Sequence, residues 1–193
     1  MGRIYSVARV ICLVGVCLPG LARAANVWQA SSPYPGNPLK VATLAGVGHI
    51  GAKSFPITLE LSCHPEAAVP RAVLRVPLTA GGWNFNDYLG PVGGVGQRRR
   101  SLQVLGRGAR ALDQPRFSGI DGDHVNFMFS WRPNDVFLGY LGKNRDWVSI
   151  RLEAMRRSQG ALDAHFDLPP DSATLLSVVG PCYHPLVKGG ASQ

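Results

Sequence analysis

Apolar and polar residues alternate along the stretch from Phe55 to Cys63, which we take as the starting point for the rest of the chain. One set of alternate positions is apolar and the other is polar or charged: Ile57, Leu59, Leu61 and Cys63 against Thr58, Glu60 and Ser62. A repeat of two places successive side chains on opposite faces of a β-strand. The stretch therefore predicts a half-buried strand that carries Cys63 on its inward face.

The same alternation recurs along the chain, between loops rich in glycine and proline. It predicts further strands at 39–45, 72–78, 101–105, 124–131, 136–141, 147–154 and 162–168, the first of them a short edge strand. The last two flank a short polar connection that contains Gly160, which favours an antiparallel hairpin. No stretch beyond residue 24 shows a sustained helical period, and 171–176 predicts a single helical turn or a loop. The pattern predicts an all-β fold, an antiparallel β-sandwich, with a small β-barrel as the alternative.

The first 24 residues have the pattern of a secretory signal peptide. Arg3 and Arg9 precede the apolar run, which extends from Val10 to Leu18. Ala22-Arg23-Ala24 fits a cleavage signal. The apolar run is shorter than the roughly 20 residues that cross a bilayer. We expect cleavage near Ala24, location in the periplasm or outside the cell, and no transmembrane segment in the mature protein. The remaining chain then divides into a Pro/Gly-rich opening segment at 25–50, one β-domain at 51–184 and a flexible tail at 185–193.

Two of the 4 cysteines, Cys63 and Cys182, lie outside the predicted leader. An oxidising compartment favours their pairing, so the sequence predicts one long-range disulfide. In the chain-entropy treatment, closing so long a loop stabilises the fold by about 4–5 kcal/mol. A zinc site made from Cys63-His64 and Cys182-Tyr-His184 is the alternative, although these spacings lack the usual C-x₂₋₄-C form. The prediction is a disulfide, with no metal and no cofactor.

The connection 81–100 differs from the other loops in its aromatic and basic content. Aromatic rings stack on sugars or fill a partner's pocket, and guanidinium groups bind phosphates and carboxylates in pairs of hydrogen bonds. A loop of about twenty residues in a compact domain is more often functional or disordered than ordinary. The alternative is that the aromatic rings pack beneath the loop and the arginines form a solvated surface. The predicted binding residues are Trp83, Phe85, Tyr88, Arg98, Arg99 and Arg100.

The segment from Asp121 to His124 is the strongest candidate for acid–base or metal chemistry. Two carboxylates and an imidazole within four residues can supply a general base or oxygen ligands for a cation. Asp-Gly is also a frequent hairpin turn, and a turn is the favoured interpretation. No nucleophile elbow of the form G-x-S-x-G and no metal-binding histidine pair occurs in the sequence. The row Asp163, His165 and Asp167 predicts an exposed strand face. The sequence therefore predicts no catalytic residues.

The chain is basic, with 20 Lys and Arg against 12 Asp and Glu and a formal net charge of +8. Removal of the leader takes away three arginines and no acidic residue, so the net charge falls to +5. A basic surface raises encounter rates with envelope polymers that carry phosphate or carboxylate, while export argues against nucleic acid as the ligand. In general build only, the leader, disulfide and strands resemble small exported proteins of bacterial envelopes, among them lysozyme inhibitors and immunity proteins.

These features predict an exported, non-enzymatic binding protein of a bacterial envelope. It would engage an acidic envelope component or another exported protein through the basic, aromatic loop 81–100. One alternative is an immunity or inhibitor protein for an envelope-acting enzyme or toxin. A second alternative is a metal-dependent hydrolase that uses Asp121, Asp123 and His124, with His64 and His184 as further candidates.

Overall fold

A computed structural model describes residues 26–65, 69–85, 90–91, 102–106, 109–113, 117–130, 146–154 and 158–187 of the 193-residue chain. The predicted leader, the predicted strand 136–141 and most of the loop 81–100 lie outside these residues. The described elements are β1 (Gln29–Ser31), β2 (Lys40–Ile50), β3 (Lys53–His64), β4 (Val69–Pro77), β5 (Gly90–Pro91), β6 (Leu102–Gly106), β7 (Ala109–Asp113), β8 (Phe117–Asp121), β9 (His124–Ser130), β10 (Trp147–Leu152), β11 (Leu162–Asp167) and the helix α1 (Ala173–Val187).

The strands pair antiparallel in one continuous order, β5-β8-β9-β4-β3-β2-β11-β10-β6-β7. β1 lies outside this order and pairs with β2. Strand β2 is the branch point, because β3 pairs along one edge while β1 and β11 share the other. The predicted antiparallel β architecture is confirmed, and the choice between sandwich and barrel stays a prediction.

One hydrophobic cluster lies on the face of the sheet that we call the inner face. It takes alternate residues from β2, β3, β4, β9, β10 and β11, as the repeat of two predicts. Phe127, Phe129 and Phe166 are the largest fully buried side chains, and burying such a ring contributes roughly 1.5–3 kcal/mol. The side chains between them point away from this core and form what we call the outer face. The inward positions predicted for β3 are confirmed, and the described residues of β9, β10 and β11 alternate between buried and less buried as the repeat predicts.

The hairpin predicted between the last two strands of the chain is confirmed. β10 and β11 pair antiparallel over six residues each, with Ser149 opposite His165 and Arg151 opposite Asp163. Because residues directly opposite each other share a face, these four side chains lie together on the outer face. The register of this hairpin therefore decides which polar groups meet.

Strand β2 was predicted as a short edge strand in an opening segment, and that prediction is wrong. It has 11 residues and strands on both sides. Glycine weakens a strand by propensity, and two glycines interrupt its pattern. A Cβ at Gly46 would overlap the His165 carbonyl oxygen and the Phe166 ring, and a Cβ at Gly48 would overlap the Phe55 ring. Both glycines serve close packing against strands whose positions the local sequence does not reveal.

The helix α1 is a second correction, because a single turn or a loop was predicted where the chain forms 15 helical residues. Gly and Pro in a helix interior cost about 1 and 3 kcal/mol relative to Ala, and Gly180-Pro181 lies inside this helix. The Asp171 carboxylate accepts a hydrogen bond from the Ala173 amide at 2.7 Å and satisfies one free donor of the first turn. Burial offsets the poor propensity along one apolar stripe at helical spacing: Leu175, Val178, Val179 and Cys182.

The predicted disulfide Cys63–Cys182 is confirmed and joins β3 to α1, with 6.0 Å between the two Cα atoms. Both sulfurs are therefore occupied, so the alternative of two thiolate ligands for zinc is wrong. Within the ranges the structure describes, no helix is long and apolar enough to cross a membrane.

Candidate functional site

The loop 81–100 begins on a rigid base. Gly81 and Gly82 adopt φ of 59° and 76°, a backbone region that side chains other than glycine rarely adopt. The Trp83 indole N–H then donates to the Gly160 carbonyl oxygen at 2.7 Å, which ties the loop to the chain just before β11. The loop therefore leaves the sheet at a fixed position.

The first two aromatic residues of the loop belong to the core. Trp83 and Phe85 are each about 5% exposed, and their rings meet edge to face with 5.8 Å between centroids. Phe85 also contacts Phe127 of β9, at 6.4 Å between centroids. Neither ring can stack on a ligand in this conformation, although both were predicted as contact residues, because their surface is already used in packing. Any part they take in binding is to hold the base of the loop.

The other predicted binding residues lie outside the described residues. These are Tyr88, Arg98, Arg99 and Arg100. Their role as the contact surface stays a prediction.

The segment from Asp121 to His124 forms the predicted hairpin turn. Asp121 pairs with His124 across it, and Gly122 adopts φ of 59° in the two-residue connection. The two carboxylates point to different partners: Asp121 lies 3.4 Å from the Arg75 guanidinium, while Asp123 lies 2.5 Å from the His124 ring. The three groups do not converge on one point. Among the described residues, no group of three or more His, Cys, Asp or Glu side chains is arranged to hold a metal ion.

A second ionic group surrounds Glu60 on β3. Its carboxylate lies 3.7 Å from the Arg75 guanidinium, which also reaches Asp121. Burial removes water from Glu60 and raises the pKa of its carboxyl group, and the Arg75 charge opposes that effect without cancelling it. This group holds β3, β4 and the β8–β9 turn together on the outer face.

Arg151 is the centre of the ionic network on β10 and β11. Its Nη1 donates to both Asp163 oxygens at 3.0 Å, and its Nε donates to Glu153 at 2.8 Å. The hydrogen bond to Glu153 raises the pKa of Arg151 further above its ordinary value. Side chains held in such a network keep one geometry, although at 38–48% exposure each pair contributes little to stability.

Next to this network, Ser149 and Asp167 flank His165. The Ser149 hydroxyl lies 3.0 Å from His165 Nδ1, and His165 Nε2 lies 3.2 Å from an Asp167 carboxylate oxygen. The Trp147 ring packs against the imidazole with 5.6 Å between centroids. The sequence pattern showed the row Asp163, His165 and Asp167 but not Ser149. The missing information was the β10–β11 register, which places Ser149 opposite the histidine.

Of the two histidines proposed beside the cysteines, only His64 has a described side chain. Its Nδ1 is buried and has no hydrogen-bond partner among the described residues, and its neighbour Cys63 is disulfide-bonded. The side chain of His184 lies outside the described residues. The hydrolase alternative thus receives no support from His64.

Comparison of this chain with protein-family models, with curated proteins and with solved structures finds no match.

Proposed function

We propose that this protein is an exported binding protein whose loop 81–100 engages an acidic envelope component. The observation that carries the proposal is the buried, hydrogen-bonded base at Trp83 and Phe85. A loop whose first residues are already ordered has fewer residues to order when a ligand binds, which lowers the conformational entropy lost on binding. Tyr88 and the run Arg98–Arg100 follow this base in the sequence and provide the contact surface.

Charge distribution supports the loop rather than the described outer face as the site for an acidic ligand. Around β10 and β11, the carboxylates of Glu153, Asp163 and Asp167 outnumber the Arg151 guanidinium. Like charges meeting across an interface cost affinity, so an acidic polymer avoids this part of the surface. The net positive charge of the chain is concentrated elsewhere, and the arginine run offers three neighbouring cations.

The same proposal includes the export of the protein and a sandwich arrangement of its sheet. The disulfide Cys63–Cys182 supports an oxidising compartment, in agreement with the leader pattern of residues 1–24 and with a periplasmic or secreted protein. The sheet curls into a sandwich in this proposal. Its support is that Phe127 of β9 and Ile150 of β10, which have four strands between them in the hydrogen-bonded order, share one hydrophobic cluster.

The test is the binding of the oxidised protein to immobilised acidic polysaccharide over a range of salt concentrations. We expect the triple variant Arg98→Ala, Arg99→Ala, Arg100→Ala to bind much more weakly and to show a flatter salt dependence than the unchanged protein. The matched control is Lys40→Ala, Lys53→Ala, Arg71→Ala, which removes the same charge from exposed positions in strands.

The two triple variants separate a local site from a general effect of charge. Equal loss of binding in both would show that only net charge matters and would overturn the loop as the site. Unchanged binding in the loop variant would overturn it as well. Capture of one exported protein in one-to-one stoichiometry that persists at high salt would favour the inhibitor or immunity alternative instead.

A further inference from the structure

The outer face carries two Ser–His pairs with the same geometry. Ser149 meets His165 across β10 and β11, and Ser54 meets His49 across β2 and β3, each with 3.0 Å between the hydroxyl oxygen and Nδ1. In both pairs the serine and the histidine are directly opposite in the antiparallel register. The two pairs differ in one respect: His165 has a carboxylate on its second nitrogen, and among the described contacts His49 has none.

The carboxylate fixes which nitrogen of His165 carries the proton. An ionised carboxylate only accepts hydrogen bonds, so the 3.2 Å contact with Asp167 places the N–H on Nε2. Nδ1 of the neutral ring then has a free lone pair directed at the Ser149 hydroxyl, which donates to it. Contact with the Trp147 ring further limits rotation of the imidazole. Serine, histidine and carboxylate thus have the roles of a catalytic triad, with the two ring nitrogens exchanged.

We propose that Ser149 is a nucleophile that accepts acyl groups from activated esters. This inference does not depend on the proposed binding function and adds a chemical reactivity on a different surface. Ser149 Oγ attacks the ester carbonyl carbon while His165 Nδ1 takes the hydroxyl proton, and the C–O bond to the leaving group breaks. The leaving alkoxide or phenoxide departs with the bonding electrons, and an acyl-serine remains. His165 then gives its proton to the departed anion or to solvent. Water attacks the acyl-serine and loses a proton to His165, which returns that proton to Ser149 Oγ as the acyl bond breaks, so the carboxylic acid and the free serine are released.

The surroundings of Ser149 set the class of substrate. β10 has a hydrogen-bonded strand on each side, so its backbone amides are used in the sheet and are not arranged as an oxyanion hole. An oxyanion hole donor accelerates acyl transfer by about 10²–10³. Ser149 therefore acts on esters whose leaving group departs as a stable anion, such as phenyl esters, and on fluorophosphonates. At 45% and 48% exposure, the His165 and Asp167 side chains leave this site open to such molecules.

The experiment is labelling of the purified, oxidised protein with a fluorophosphonate probe, followed by mass-spectrometric mapping of the modified residue. The probe phosphorus bonds to Ser149 Oγ, fluoride leaves and His165 takes the proton. We expect one label per chain on Ser149, loss of the label in Ser149→Ala and no change in Ser54→Ala. Hydrolysis of p-nitrophenyl acetate should follow the same order among the variants.

Asp167 acts through His165, so it is a positioning residue and needs a test that a structural role would not affect. Asp167→Asn should lower the labelling rate at least tenfold and move the pH at which labelling is half-maximal. The labelling rate of the unchanged protein should fall in acid, because a protonated His165 cannot accept the hydroxyl proton. Among the described residues, the charged or titratable groups next to His165 on this face are Asp163 and Asp167 on its own strand, Arg151 on β10 with its partner Glu153, and His49 on β2.

Three results would overturn the proposal. These are the absence of labelling in folded protein, equal labelling of Ser54 and Ser149, and an unchanged rate and pH profile in Asp167→Asn. Far-ultraviolet circular dichroism and the thermal midpoint establish that each variant is folded. All three substitutions lie on the partly exposed outer face, where changes usually alter stability little.

Discussion

The inner and outer faces of the same strands are stabilised by different forces. On β11, Ala164 and Phe166 are fully buried. Asp163 and His165 alternate with them and are only half buried, and their side chains are held by an ion pair or by hydrogen bonds. The inner face depends on shape and volume, because close-packed interiors do not tolerate a missing or an additional carbon atom. The outer face depends on charge pairs in contact with water, which contribute little individually. Whether a residue lies at an inward or an outward position of its strand therefore decides how much its substitution lowers the free energy of unfolding.

Truncation of an inner-face ring gives the largest expected effect. Phe127→Ala removes a fully buried ring from the centre of β9 and also the partner of Phe85. Such truncations cost about 3–5 kcal/mol in free energy of unfolding, from lost burial and the cavity that remains. Urea denaturation measures this cost. Val47→Ala on the outer face of β2, where the side chain is 46% exposed, is the control and should cost under about 0.5 kcal/mol. Similar costs for the two variants would contradict the distinction between the faces.

Removal of the disulfide has the next largest effect, because the disulfide links α1 to the inner face through β3. The double variant Cys63→Ser, Cys182→Ser should lose about 2–5 kcal/mol of stability, seen as a lower thermal midpoint. A reducing agent should lower the midpoint of the unchanged protein towards the same value and leave the double variant unaffected. If reduction leaves the midpoint of the unchanged protein where it was, burial of α1 alone holds the helix in place.

Addition of a single carbon to the inner face sharpens the comparison. Gly46→Ala places a Cβ against the His165 carbonyl oxygen and the Phe166 ring, and neither can move without shifting β11. Overpacking of this kind costs about 1–3 kcal/mol. Gly160→Ala is the control, since its Cβ meets ordinary contacts at 3.4 Å or more and its carbonyl bond to Trp83 remains. Equal unfolding free energies for the two variants would show that β11 moves away at no cost.

The smallest effect is the pH response of the outer face. Burial raises the pKa of Glu60, so in acid the folded protein retains this proton better than the unfolded chain. Stability should therefore fall as the pH rises from the ordinary pKa of a glutamate side chain, about 4.5, through the higher pKa of the folded state. Glu60→Gln should remove this part of the slope, with a change of under about 1 kcal/mol. Denaturant titrations between pH 4 and pH 7 measure it, and identical slopes for the two proteins would contradict the assignment to Glu60.

The sequence predicted those parts of the fold in which a residue's own strand decides its environment. The alternation in β3, β9, β10 and β11 identified the inner face correctly, because a period of two needs no knowledge of neighbouring strands. β2 was misjudged because Gly46 and Gly48 are matched by rings of Phe166 and Phe55, which lie on other strands. The helix was not predicted because Gly180-Pro181, which is unfavourable in a helix, interrupts the apolar stripe. This stripe consists of Leu175, Val178, Val179 and Cys182.

The candidate sites depend on contacts between distant segments, and fewer of these contacts could be predicted from the sequence. The Asp121 turn was predicted correctly because a turn is local. Burial of Trp83 was one of the alternatives that the sequence left open. Its hydrogen bond to Gly160 could not be predicted, because the two residues are 77 positions apart in the chain. The link between Ser149 and His165 requires the hairpin register, in which a shift of one residue would place Ser149 on the opposite face.

The divided edge of β2 has a consequence for the order in which the chain folds. β2 and β3 form a hairpin with 11 consecutive pairs across a two-residue turn at Gly51, so they can associate while the rest of the chain is still unfolded. β11 must then pair with the C-terminal end of β2, which lies more than a hundred residues earlier in the chain. Long-range pairing of this kind slows folding. We therefore expect the β2–β3 ribbon to be the earliest protected from hydrogen exchange during refolding, and the β10–β11 hairpin to dock onto it afterwards.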